Sequence, residues 1–417
     1  MHALEKILLH HSNKKSIAQG DIITCEVDIA EINDLYLQVI KSFYEMGGKK
    51  VRNPDKVAFV LDHYAPAPTI QSADIQKKMR NFAREQDIQY FFDINKGVCH
   101  QVMPEEGIVW PGMLLVATDS HTTTHGAFGA FGTGVGATDL AVILLEGELW
   151  FRVPEIIRIN ITGELGKGLM AKDVILNIIG ELKQDVAVYK AIEYAGSTVE
   201  ALDMAGRMVL CNMAVEMGAK TSYIQPDKKT LNFIDKKTDR SYRVFETDPG
   251  FNYSQEFDFD VSGLAPQVAV PHSIDSVKSI EELQENIPVD QVLIGTCTGG
   301  RIEDIKIAAE ILENKTVSPD CRLIITPAST RVLKEAMDKG YMEALIDAGA
   351  AFNTPGCGAC LGAHQGVLAP GEICLTTGSR NFPGRMGSNK AEVYSVSPAT
   401  GAASALTGKL TDPRQYI

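Results

Sequence analysis

The sequence predicts an α/β protein built on parallel sheets, and three observations carry that reading. Short apolar runs recur along the chain, each ending at once in a polar or glycine-rich turn and followed by a helical period. Reactive side chains gather at the ends of five such runs, the place where parallel α/β sheets bind ligands. The 417 residues exceed one ordinary core and imply two or three compact units.

Taken in order, VAFVL (57–61) leads into Asp62 and His63, and MLLVAT (113–118) leads into Asp119, Ser120 and His121. ATDLAVILLEGELWF (137–151) has the apolar spacing of a helix with one face on a sheet. FRVPEIIRINITGEL, with Pro154 before alternating apolar positions, marks a crossing into a second unit. Within it, CNMAVEMGAKTS places Asn212 one helical turn before Glu216, so that both face the same way. APQVAVPHSIDSVKSI, around Pro266 and Pro271, reads as a linker into a third unit, and SIEELQENI (279–287) as a helix after it. QVLIGT (291–296) then leads to Cys297, AAFNT (350–354) to Cys357 and Cys360, and EICLTT (372–377) to Arg380 and Arg385. The expected units are 1–154, 155–272 and 273–417.

Composition narrows the function classes. Hydrophobic residues make up 45% and charged residues 22%, with no apolar run of bilayer-spanning length and no visible export signal. A soluble chain in the cytoplasm, with no membrane partner, is expected. A net charge of -13 works against attraction to phosphate backbones, so nucleic acid is not an expected partner. Eight cysteines scattered through so long a chain lack the density of a disulfide scaffold, which leaves reduced thiols, metal ligands or both.

The CxxC of GCGAC lets Cys357 and Cys360 reach one metal centre from a tight turn, and Gly356 and Gly358 free the backbone for it. Alone, such a pair also serves as a redox couple or half a structural zinc site. Cys297, in the glycine-flanked turn GTCTGG, adds a third thiol. Three thiols suit an iron-sulfur cubane with one exchangeable iron position, although four are the commoner complement. Cys25, Cys99, Cys211, Cys321 and Cys374 have no such setting and read as small buried hydrophobes.

His63 beside Asp62, and His121 two residues after Asp119, pair an imidazole with a carboxylate that can raise its pKa and make it a proton donor. Adjacent residues at a strand end need not touch, so each pair taken alone reads first as structural or solvent-facing, and His100 in GVCHQV is weaker. His2, His10, His11, His125, His272 and His364 read as surface or packing residues. Arg380 and Arg385 could each fork onto a carboxylate, or simply face solvent. Gly132, Gly134 and Ala137 loosely fit a dinucleotide fingerprint, but the acidic residue expected about 20 positions on, in a second strand, is missing.

DSHTTTHGAFGAFGTGVGATD, GTCTGGRIED, NTPGCGAC and SRNFPGRMG, in that order, resemble the signature segments of the aconitase superfamily. The similarity runs from about Asp62 to the GKLTDPR close, and is strongest to the prokaryotic large subunits of 3-isopropylmalate dehydratase and homoaconitase. It implies three α/β/α domains around a shared 4Fe-4S cleft, without a swivel domain. Cys297, Cys357 and Cys360 match the thiolate ligands of the 4Fe-4S cluster. Asp62 and His63 match the acid pair that protonates the leaving hydroxyl. His100, Asp119 and His121 match residues that hold iron-bound water, and Glu216 and Asn212 the water-binding carboxylate and its amide neighbour. Arg380, Arg385 and Ser120 match substrate-pocket residues.

The implied activity is a hydro-lyase that isomerises a small hydroxy di- or tricarboxylate by dehydration and rehydration. Isopropylmalate, hence leucine synthesis, stands ahead of homocitrate or another alkylmalate or citrate-type acid. The family's catalytic base lies on a swivelling domain of roughly 150 to 170 residues, a segment not found before Ile417. A heterodimer or heterotetramer with a small swivel-domain subunit is therefore expected. Ser379 stands where the family usually has Asn, and AEINDLY matches a polar substrate-facing segment only at Asn33 and Asp34. A non-catalytic role, as a cluster-free RNA binder or a zinc-stabilised protein, is the alternative of a different class.

Overall fold

The runs that end in polar turns become strands of three largely parallel sheets in a computed structural model, which describes residues 1–283 and 286–417. In the first sheet the strands stand in the order Tyr90–Phe92, Val57–Val60, Ile29–Asn33, Leu114–Ala117, Phe131–Gly134, all parallel. Every residue of the three central strands is buried, as strands covered on both faces must be. From Ile29–Asn33 the chain moves outward on one side and then returns to the other. That reversal opens a crevice at the carboxyl ends, where Asn33, Asp62 and Asp119 emerge.

The third sheet repeats the plan. Gln291–Gly295 lies between Ile373–Thr376 and Arg322–Thr326, with Glu392–Ser395 and Ala351–Phe352 outside them, all five parallel. Its reversal falls between Gln291–Gly295 and Ile373–Thr376, the strands that deliver Cys297 and Ser379. Thr377 ties them together: its Oγ1 accepts from the Gly295 N–H and donates to the Gly295 carbonyl, each at 2.9 Å.

The second sheet, Thr221–Tyr223, Ala191–Ala195, Ile156–Thr162, Gln255–Asp260, is also parallel. Its helix Met204–Met213 starts at Asp203, whose carboxylate accepts from the Gly206 N–H at 2.8 Å, and runs on into a 3-10 turn, Ala214–Met217. The helix packs along the 3-10 segment Ser120–Phe128 and so sets Asn212 and Glu216 against the first sheet's site residues. Arg207, buried in this helix, forks onto Asp227 at 2.8 and 2.6 Å.

Those hydrogen bonds from Arg207 hold the Asp227 carboxyl down at about 2. A depressed carboxyl contributes stability that is present above its unfolded value near 4 and lost as pH falls through about 2. Asp227→Asn leaves a buried guanidinium short of its partner and should cost about 1 to 3 kcal/mol in urea unfolding at pH 7. The difference should shrink toward pH 2.

Three expected elements change. The stretch 137–151 is not one helix: Ala137–Glu146 is helical, Gly147 turns left-handed at φ 76°, and Glu148–Arg152 forms a strand antiparallel to Ile22–Glu26. Its alternating ELWFR pattern is the two-residue period of a half-buried strand. In 279–287 a single 3-10 turn, Ile280–Glu282, replaces the helix, and residues 284 and 285 lie outside the described part. The strand in 350–354 shrinks to Ala351–Phe352 at the sheet edge.

The cut near 272 falls inside an antiparallel hairpin, Gln267–Ala269 with Val277–Ser279, which joins the third sheet through Ser395. The cut near 154 separates two sheets but not two cores: Ile29, Val60 and Leu115 share one apolar cluster with Ile157, Ile159 and Val174. Among the described residues no helix is long and apolar enough to cross a membrane.

Candidate active site

Asp62 is fully buried and receives its bonds from two directions. Its Oδ1 lies 2.7 Å from His63 Nδ1, and its Oδ2 accepts from the Cys99 N–H at 2.8 Å. The other ring nitrogen, His63 Nε2, is 3.5 Å from Asp119 Oδ2. Burial opposes a charged imidazole, but Asp62 first and then Asp119 outweigh it, and His63 stays protonated well above the ordinary range. Asp34 fixes the turn by accepting from the N–H groups of His63 and Tyr64 at 2.9 and 3.0 Å.

Asp119 is the hub of a second network. Its Oδ1 lies 3.0 Å from His100 Nε2 and accepts from the His121 N–H at 2.7 Å. Burial pushes its carboxyl up, yet His100 and then the bonds from His121 and His63 carry it well below the usual range. His121 Nε2 stands 2.9 Å from both Glu216 Oε1 and Ser379 Oγ. Glu216 Oε1 also accepts from Arg380 Nε at 2.7 Å, and Arg380 Nη2 reaches Ser120 Oγ at 3.3 Å. Against burial, His121 and Arg380 keep Glu216 ionised. Residues from all three sheets thus meet in one network.

The thiols lie against it. Cys357 and Cys360 are free thiols joined by a hydrogen bond, Cys297 is close enough for its charge to act on both Cys357 and Cys360, and Arg385 Nη2 donates to Cys360 Sγ at 3.3 Å. Donation by Cys357, and after burial's opposition the Arg385 charge, makes Cys360 the thiol that ionises first. Gly358, at φ 58°, supplies the left-handed step between the two cysteines. Lys172, wholly buried, donates to the Thr377 and Gly378 carbonyls at 3.1 and 2.9 Å, and burial lowers it to about 8.

A tetrahedral zinc needs sulfurs about 3.8 Å apart for 2.3 Å bonds. Among the described residues the side chains that converge tightly enough for one ion are Cys99, His100, Asp119 and Asp34, Asp62, His63, and the three thiols are not among them. A wider multi-atom group fits them better. Thr296 Oγ1 and Arg385 Nε, on residues beside the thiols, are buried donors with no partner among the described residues. The donor set therefore suits a polar sulfur-bearing cluster.

All thirteen residues singled out in the sequence fall in this neighbourhood. Several site residues were missed. Cys99, taken for a packing residue, gives its N–H to Asp62, and its Sγ is 3.7 Å from His100 Nδ1. His364, taken for surface or packing, reaches the His63 carbonyl with Nε2 at 2.7 Å. Glu31, inside the central strand, carries a wholly buried carboxyl that burial and then Asp62 and Asp119 hold protonated. A lone acid in the apolar run IAEIN was the available signal. Gly132 and Gly134 lie within the strand Phe131–Gly134 rather than in a turn after it, and Ala137 opens the next helix.

Comparison with known proteins identifies the family. The model of the aconitase family (aconitate hydratase) matches residues 5–408. The chain is 50% identical to 3-isopropylmalate dehydratase large subunit 1 of Methanopyrus kandleri, over 99% of each chain. It is 45% identical to a probable methanogen homoaconitase large subunit of Methanothermobacter thermautotrophicus, over 100% of this chain and 98% of the other. Aconitase X of Thermococcus kodakaraensis shares the fold, with a TM-score of 0.52 at 14% identity over 91% of this chain and 89% of the other.

Proposed function

This chain belongs to the aconitase family, and from that premise we propose that it is the large, cluster-binding subunit of a hydro-lyase that isomerises a hydroxy di- or tricarboxylate. Isopropylmalate is the first substrate reading, after the relative at 50% identity, and homocitrate the second, after the homoaconitase relative. One observation carries the reaction class: the Cys357 N–H donates to the Asp62 carbonyl at 3.0 Å, so the thiol loop and the acid pair are one construction.

Cys297, Cys357 and Cys360 would hold a 4Fe-4S cluster, which when bound supplies a Lewis-acidic iron that polarises the leaving hydroxyl. His63 gives the departing oxygen its proton, and Asp62 keeps the ring charged and oriented through Nδ1. His100, Asp119 and His121 form a hydrogen-bonded cradle that orders water on the other side. Glu216 fixes Arg380 through Nε, which leaves its other N–H groups for Ser120 and a substrate carboxylate. The water released by dehydration returns to the other carbon of the alkene.

The matched relatives are named large subunits and are covered almost end to end, which supports a small partner that brings the base. A general base contributes about 10² to 10⁴ in rate. The loaded chain alone should therefore turn over at least about a hundredfold more slowly than after mixing with a cognate small subunit. The test is anaerobic reconstitution followed by alkene absorbance with isopropylmalate, homocitrate, citrate and dimethylmalate. About four irons and four sulfides per chain support the cluster; one zinc without iron overturns it.

A further inference from the structure

Arg301 ends the GTCTGGR turn that begins with the first thiol. The turn is tight, because a Cβ on Gly300 would come within 2.6 Å of the Thr326 carbonyl, and it carries Arg301 inward until 2% of the residue is exposed. Its backbone N–H donates to Asp304 Oδ2 and its Nε to Gln101 Oε1, both at 2.9 Å. Gln101, next to His100, is itself pinned to Glu105 at 2.7 Å, and Glu105 accepts from Ser329 Oγ at 2.9 Å. The guanidinium is thus oriented by the first and third sheets together.

Both of its terminal nitrogens, Nη1 and Nη2, are buried with no hydrogen-bond partner among the described residues. A buried cation with unmet donors is costly unless an anion faces it, and the carboxylate beside it, Asp304, takes its backbone N–H rather than Nη1 or Nη2. Of the other cations near the thiols, Lys172 donates to two carbonyls and Arg385 through Nη2 to Cys360, whereas both Nη groups of Arg301 are free among the described residues. Arg301 lies four residues after Cys297, in the same turn between the strand Gln291–Gly295 and the helix Ile302–Leu312.

We propose that Arg301 is a positioning residue for the cluster, its free Nη groups serving the anionic sulfur at Cys297. The inference rests on the cluster reading above. Positive charge and hydrogen bonds at sulfur raise a cluster's reduction potential, and outer partners of a metal site typically change metal affinity by 10 to 100-fold. Arg301 therefore holds iron on the Cys297 side without touching substrate.

The test compares reconstituted wild type, Arg301→Met and Arg301→Lys by redox titration followed by electron paramagnetic resonance, and by iron release to a chelator. Arg301→Met should shift the midpoint to lower potential and release iron about 10 to 100-fold faster. Arg301→Lys, which keeps the charge but loses the planar fork, should fall between. Wild-type midpoint and release rate in both variants overturn the proposal. If Arg301→Met fails to fold, an unshifted Arg301→Lys overturns it alone. A wild-type chain that binds no iron or sulfide overturns the cluster reading instead, before any variant is compared.

Discussion

Cys360→Ser is expected to leave a folded chain whose turnover, with the small subunit present, falls at least about a thousandfold. Lewis-acid polarisation of the leaving oxygen supplies several kcal/mol, and each 1.36 kcal/mol is tenfold in rate. Cys360 is the sensitive choice because it is the thiol that Cys357 and Arg385 favour as a thiolate. Serine is close to cysteine in size and its hydroxyl can accept from Arg385 as the sulfur does, so far-UV circular dichroism and the unfolding midpoint should change little. Iron and sulfide content should drop with the activity. Wild-type iron content and full turnover in the variant would remove Cys360 from the proposed ligand set.

The second large effect is expected at the acid pair. His63→Gln removes the proposed proton donor and should lower kcat/KM by about 10² to 10⁴. Asp62→Asn is the subtler test. His63 holds its proton well above its ordinary range because Asp62, ahead of Asp119, overcomes burial. A donor is active while protonated, so the wild-type rate should fall only as pH rises through that raised value. With Asp62 neutralised, burial acts against a weaker opposing charge, and the alkaline limb should move to lower pH. An unmoved limb in a folded, iron-loaded Asp62→Asn enzyme would assign the proton to another group. Cluster content is measured alongside, because Asp62 also holds the Cys99 N–H and, through its carbonyl, Cys357.

Much of the fold was readable because buried parallel strands are written as unbroken apolar runs, and VAFV and LLVA are buried at every position. The site residues were readable for the same reason: Asp62, Asp119 and Cys297 each follow a strand after one residue, and Arg380 after three. What escaped depends on register. Glu31 looks like a stray acid until pairing sets it between Ala58 and Ala117, two small residues that leave room for a carboxyl beneath Asp62 and Asp119. Cys99 matters through its backbone N–H, which has no side-chain signature. His364 lies 301 residues from the carbonyl it contacts. At 137–151 the apolar spacing alone could not show that Gly147 ends the helix and that Glu148–Arg152 is a strand.

The two bonds that fasten the thiol loop to the acid strand, Cys357 N–H to the Asp62 carbonyl and His364 Nε2 to the His63 carbonyl, both end on main-chain oxygen. A peptide carbonyl offers the same acceptor whatever side chain stands there, so this alignment tolerates drift in sequence around it. On the proposed function, the metal-binding half and the proton-giving half of the chemistry would therefore arrive at a partner already in register with each other. The proposed small subunit would need to contribute only its base and a surface that selects the acid. New substrates could then be acquired by exchanging that partner, with this chain kept as a common reaction core.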